Sequence, residues 1–158
     1  MNECVFSPCR KYRYVLKCRW NDLFEEKPIA WIGLNPSTAD EFQLDPTLTR
    51  IKGFSESFGF NCFYMLNIFA FRATDPNKMK QHAEPVGPEN DRHILETCRN
   101  CRTVVAAWGN HGTYLDRGRH VISMLKAEGL QLTCLKVSKE GNPVHPLYLP
   151  GKSVLIEM

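Results

Sequence analysis

Asn35, Asn67, His145 and Asp40 have the types and settings that chemistry needs. Asn35 lies in "AWIGLNPSTAD" (30–40), where an apolar run breaks at Gly33 and the amide precedes Pro36. Asn67 interrupts the apolar "FYMLNIFAF" (63–71), and His145 stands in "NPVHPLYLP" (142–150) between Pro143 and Pro146. A side-chain amide donates and accepts at once, so it can read the edge of a planar ligand. A histidine fixed by neighbouring prolines could serve as a catalytic donor, and Asp40 could act as a base.

Each residue also has a plainer reading. Asparagine suits turns, and a residue before proline prefers extended backbone, so Asn35 could simply end a strand. Asn67 could be a satisfied core amide, because unmade buried hydrogen bonds cost about 1–3 kcal/mol each. His145, and more weakly His111 in "WGNHG", could be surface residues. Asp45 reads as a helix cap, whereas Asp40 stays open between base and turn. Arg72, Lys139 and Lys152 fall near the same segments and could meet phosphates; singly, each is a solvated charge.

Positioning these residues requires strands that deliver them to one place. "PIAWIGL" (28–34), "NCFYMLNIFAF" (61–71), "TVVAAWG" (103–109) and "LTCLKVS" (132–138) are short and apolar on both faces, as in parallel sheets. The segment "YRYVLKCRW" (12–20) alternates instead. Tyr12, Tyr14, Leu16, Cys18 and Trp20 take one side, and Arg13, Val15, Lys17 and Arg19 the other, which predicts a half-exposed edge strand. Helical patterns fill the gaps at 45–59, 87–101 and 116–130, the first with Asp45 as cap and Pro46 at its first turn.

The expected fold is α/β: a three-layer α/β/α sandwich with a mostly parallel, four-stranded central sheet plus the N-terminal edge strand. Ligands gather at the carboxyl ends of such strands. Here the exits are "GLNPSTAD", "NIFAFRATDP", "WGNHGT" and "SKEGNPVHPLYLP", each polar, with Gly or Pro and an Asn or His. One site built from four loops is the expectation.

The 158 residues suit a single domain spanning 1–158, able to bury roughly two-thirds of its unfolded surface. A net charge of +3 permits contact with nucleic acid without demanding it. No apolar run nears the ~20 residues of a membrane span, and "MNECVFSPCRKYRY" lacks a signal peptide's apolar stretch. A cytoplasmic monomer with seven reduced cysteines is expected. Cys98 and Cys101 fall in a helical pattern without a second close pair, so no metal is expected. The phosphate-binding, dinucleotide-binding and α/β-hydrolase signatures are missing, which disfavours those three activities.

In this order the segments "YRYVL…RW", "IGLNPSTAD…DPT", "LNIFAFR" and "AWGNHG" resemble DUF1643, a small bacterial and phage family, over nearly the full length. The loop motifs also resemble the uracil-DNA glycosylase superfamily. "GLNPS" is similar to the Gly-Ile-Asn-Pro-Gly of the mismatch-specific enzymes, which implies that Asn35 positions the attacking water, with Gly33, Pro36 and Ser37 around the base. Other branches carry Asp at that place. Asn67 would read the flipped base, with Phe42, Phe69 or Phe71 stacking on it. "HPLYLP" begins like the superfamily's His-Pro-Ser-Pro-Leu, placing His145 as stabiliser of the leaving base and Leu149 or Tyr148 as the wedge. Leu147-Tyr148 replaces the expected Ser-Pro. Asn110, His111, Arg72, Lys139 and Lys152 would contact DNA. The iron–sulfur branch's cysteines are not matched, so no cofactor is implied.

The resemblance implies a DNA glycosylase-like hydrolase that flips out a modified or damaged base and cleaves its N-glycosidic bond, with a hypermodified phage base in antiviral defence as one candidate. A non-catalytic module for modified bases and a hydrolase of free nucleosides or nucleotides are the rivals.

Overall fold

Apolar runs with no polar face need cover on both sides. The computed structural model, which describes residues 2–158, supplies it around one sheet. Its strands are β1 (Asn2–Phe6), β2 (Arg13–Arg19), β3 (Pro28–Gly33), β4 (Cys62–Asn67), β5 (Thr103–Ala106), β6 (Leu132–Cys134) and β7 (Ile156–Glu157). Their spatial order is β1-β2-β4-β3-β5-β6-β7. The four expected runs form the parallel centre, β4-β3-β5-β6. The three additional strands pair antiparallel at the flanks, so the sheet is mixed rather than mostly parallel.

The helices are α1 (Pro46–Ser57), α2 (Pro76–Gln81), α3 (Asn90–Arg99) and α4 (Arg117–Ala127). Alternation along the strands divides the core in two. Ile29, Trp31, Phe63 and Met65 pack with Leu48, Ile51 and Phe54 of α1. Ala30, Ile32 and Leu66 pack with Ile94 and Cys98 of α3 and Val121 and Leu125 of α4. The buried Trp31 indole needs an acceptor, and Ser55 of α1 supplies Oγ at 3.0 Å. Asp45 caps α1 as its sequence suggests, with Oδ1 accepting from Leu48 N at 2.8 Å.

The reading of 12–20 as an edge strand is corrected. β2 has β1 on one side and β4 on the other. Its polar positions are therefore not uniformly solvated: Arg13 is only 2% exposed. Asn2–Phe6 carries one strong apolar alternation at most, too little to announce a strand that covers β2. Among the described residues no helix is long and apolar enough to cross a membrane.

Candidate functional site

The carboxyl ends of β3, β4 and β5 open into a cleft of about 710 Å³ on the α1 side of the sheet. Asn35 sits just past β3, and its position is set by the neighbouring exit. Its Nδ2 donates to Ala73 O at 2.7 Å, and Ala73 N returns a bond to Pro36 O at 2.9 Å. The loops after β3 and β4 are thereby clamped together. Oδ1 of Asn35 accepts no hydrogen bond among the described residues, leaving an acceptor for a water or ligand.

Asn67, the last residue of β4, is 2% exposed and lines the same cleft. Its Nδ2 is buried and has no partner among the described residues. Register pairs Asn67 with Gly33, and the glycine is needed there. A Cβ at position 33 would lie 2.6 Å from Met65 Cε and 2.9 Å from Asn67 Oδ1. From behind, Asn90 Nδ2 donates to the carbonyls of Asn67 (2.8 Å) and Ile68 (3.1 Å), and Arg117 Nε donates to Ile68 O at 2.7 Å. The β4 exit is thus held by buried polar groups from α3 and α4.

His145 reaches the cleft from the loop after β6. Its Nδ1 accepts from Leu147 N at 3.2 Å, capping the short 3-10 turn Pro146–Tyr148. An imidazole that accepts at Nδ1 is neutral and carries its proton on Nε2. Nε2 makes no hydrogen bond among the described residues, so it is a donor awaiting an acceptor. Burial lowers the imidazole below its ordinary value, while the Asp45 charge opposes that shift. Asp45 is the one acidic side chain among the lining residues.

The loops after β5 and β6 are joined in turn. Gly109, at φ +71, donates to Pro143 O at 2.7 Å, and Asn110 Oδ1 accepts from Ser138 Oγ and Asn142 Nδ2. The cleft therefore combines two amides and a neutral histidine donor on rigid strand exits. It can hold a water, bind a planar ligand by its edge and donate to a leaving group.

The chain matches a family described as "Protein of unknown function (DUF1643)" over residues 13–147. It belongs to the DUF1643 family. No curated protein and no solved structure matches it. The matched span takes in Arg13, Asn35, Asn67 and His145 together.

Of the expected site residues in this DUF1643 chain, Asn35, Asn67, His145, Gly33, Pro36, Ser37, Asn110, His111 and Tyr148 all line the cleft. Others do not. Asp40 is outside the lining, with its Oδ1 accepting from Phe42 N and Gln43 N in a turn. Phe42 is 87% exposed and away from the cleft, whereas Phe69 is buried in the opposite core. Phe71 stacks on His82 at 3.9 Å and, with Arg72, borders a separate shallow depression. Lys139 and Lys152 are exposed and do not line the cleft.

Leu149 as wedge is corrected too. It is 7% exposed, packed in the α1 core, and its carbonyl accepts from Arg50. The 3-10 turn after His145 rotates the chain so that Leu147 and Tyr148 (81% exposed) reach the cleft instead.

Sequence reasoning missed Arg13, which lines the cleft although it read as part of a solvated face. Nothing local distinguishes it from Lys17 or Arg19; it is covered by distant segments, β1 beside it and the loop after β3 at its guanidinium. Seven thiols are free, and among the described residues no group of three or more His, Cys, Asp or Glu could hold a metal.

Proposed function

We propose that this protein is a DNA glycosylase-like hydrolase that takes a flipped, modified or damaged base into the cleft and cleaves its N-glycosidic bond. One observation carries the reading: Asn35, Asn67 and His145, from three separate strand exits, share one cleft with an unspent acceptor, donor and donor respectively. The uracil-DNA glycosylase-like three-layer arrangement belongs to the same proposal. Two helix-lined cores on the two faces of the sheet support it.

In this mechanism Asn35 Oδ1 accepts from the attacking water and aims it at the sugar carbon. Asn67 reads the edge of the base. The neutral His145 donates from Nε2 to the departing base as it gains negative charge, a preorganised interaction of the oxyanion-hole kind. The sugar passes through an oxocarbenium-like transition state: the C–N bond breaks, the water oxygen bonds the sugar carbon, and the proton the water releases passes through solvent to the expelled base. Tyr148 or Leu147 fills the vacated stack, and flipping costs a few kcal/mol.

The test is abasic-site formation: DNAs carrying diverse modified bases are incubated with the protein, then cleaved by alkali. Release of a base, with about 10²–10³-fold slower turnover in Asn35→Ala and His145→Ala, is the expected outcome. If both variants release base as fast as the parent, the assignment of these residues is wrong.

A binding module with the same pocket is favoured by a different observation. Asp40 is spent in a turn and Asp45 caps α1, so no carboxylate is free of structural duty in the cleft. Tight binding of a modified base without strand breaks in any DNA would select that reading.

A further inference from the structure

Arg13 is a buried cation that the protein does not answer. Its side chain is 2% exposed, yet it forms no ion pair among the described residues. Nη1 donates to Ala39 O at 2.9 Å, Nε is buried without a partner, and Nη2 makes no hydrogen bond. Asp45 and Asp40 attract it only from beyond ion-pair distance, and Arg72 repels it. Burying an uncompensated charge is strongly unfavourable, so buried charges are ordinarily paired. A role in holding Ala39 alone would be met by a neutral donor.

The register explains where this cation points. β2 runs antiparallel to β4 with Leu16 opposite Met65, which carries Arg13 and Asn67 to the same end of the sheet. Both line the cleft, and Asn67 Nδ2, like Arg13 Nε, is a buried donor without a partner among the described residues. Two buried donors in one cleft with no protein acceptor are open to acceptors from a ligand. A guanidinium presents its N–H groups in a planar fork that matches the two oxygens of a carboxylate or the edge of a phosphate.

We propose that Arg13 and Asn67 form an oxyanion pocket, which takes a carboxylate or phosphate group carried by the cleft's ligand. Resting on the base-excision reading, this narrows the substrate to a base bearing an acidic substituent. The oxyanion sits on Arg13, on the outer side of β4. His145 approaches from the loop after β6, on the other side of the central strands.

The experiment is calorimetric titration of the wild-type protein with 5-carboxyuracil and its neutral isostere, the 5-carboxamide. The acid is expected to bind at least about tenfold tighter than the amide, equivalent to ~1.4 kcal/mol. Arg13→Gln should abolish the difference, and Arg13→Lys should restore part of it. If Arg13→Gln does not fold, the isostere pair on the wild-type protein still decides. Equal affinities, no binding of the acid, or a preference that survives Arg13→Gln overturns the proposal.

Uridine monophosphate and inorganic phosphate distinguish the source of the anion. Binding of the nucleotide but of neither base would overturn assignment of the oxyanion to the base and give it to the sugar phosphate. If the free acid binds but DNA carrying it yields no abasic sites, the hydrolase reading fails and the pocket stands.

Discussion

A methyl group on Gly33 would meet Met65 Cε and Asn67 Oδ1 at once. Gly33→Ala is therefore expected to push Asn67 out of place, weakening ligand binding about tenfold or more while costing roughly 1–3 kcal/mol of stability from overpacking. Titration calorimetry and urea unfolding on the same variant separate the two effects. His145 offers a pH test. Burial holds its folded-state value below the ordinary 6.5, so the neutral ring persists into mildly acid solution. The unfolded chain takes up that proton first. His145 thus contributes stability that is complete above about pH 6.5 and is lost as pH falls below it. Turnover should likewise be flat above that pH and decline only on the acid side, because protonation at Nδ1 removes the acceptor for Leu147 N. A decline beginning well above 6.5 would exclude His145 as the controlling group. Among the thiols, Cys9 is exposed and lowered by its hydrogen bond with Ser7, while burial pushes Cys98 and Cys101 up to about 12. Mass spectrometry after alkylation near neutral pH should find Cys9 labelled first and the buried pair labelled only on unfolding.

At the level of elements, α1 is the clearest case of local chemistry deciding structure. Asp45, Pro46 and the spacing of Leu48, Ile51 and Phe54 specify where the helix starts and which face is buried. Asp45→Ala should cost about 1 kcal/mol through loss of the cap, measured by urea denaturation. The same change should raise the demand on Arg13, since it removes the acidic side chain nearest to balancing it. The four parallel strands were legible because each is apolar on both faces. β2 was legible as a strand but not in its place, since edge and interior differ by what lies beside them. Nothing in Asn2–Phe6 or Ile156–Glu157 signals a partner, because short flanking strands take their stability from the ladder they join. The α2 helix was hidden for a related reason: six residues carry too little periodicity, although Asp75 and Pro76 repeat the start signal of α1. In the site, loop residues flanked by Pro or Gly were readable, whereas Phe69 and Leu149 were not. Both have the composition of stacking or wedge residues, and burial by distant elements decided otherwise.

Across the whole molecule, contacts are dense from β1 through β3 and thin toward the β7 flank. β3 lies between two parallel partners, while both residues of β7 are exposed and pair with β6 alone. Amide hydrogen exchange should therefore find β3 and β4 most protected and β7 opening first. A net charge of +3 is small, so any DNA affinity must come from local placement of cations rather than from a general field. Each phosphate neutralised should add about 0.7–0.9 to the slope of log affinity against log salt, and Arg72→Ala or Lys152→Ala should reduce that slope only if those residues touch the backbone.

The clamp between Asn35 Nδ2 and Ala73 O also bears on which mutational paths are open to the fold. Converting the amide into a carboxylate looks like a one-codon route to a stronger water activator. In Asn35→Asp, however, an oxygen replaces the donor 2.7 Å from a carbonyl oxygen. The new group must stay protonated to keep that bond, without which only Ala73 N to Pro36 O joins the loops, and a protonated acid activates no water. Gaining a base at this position would require a simultaneous change in the loop after β4, so the chain is held on the amide side of a two-step divide.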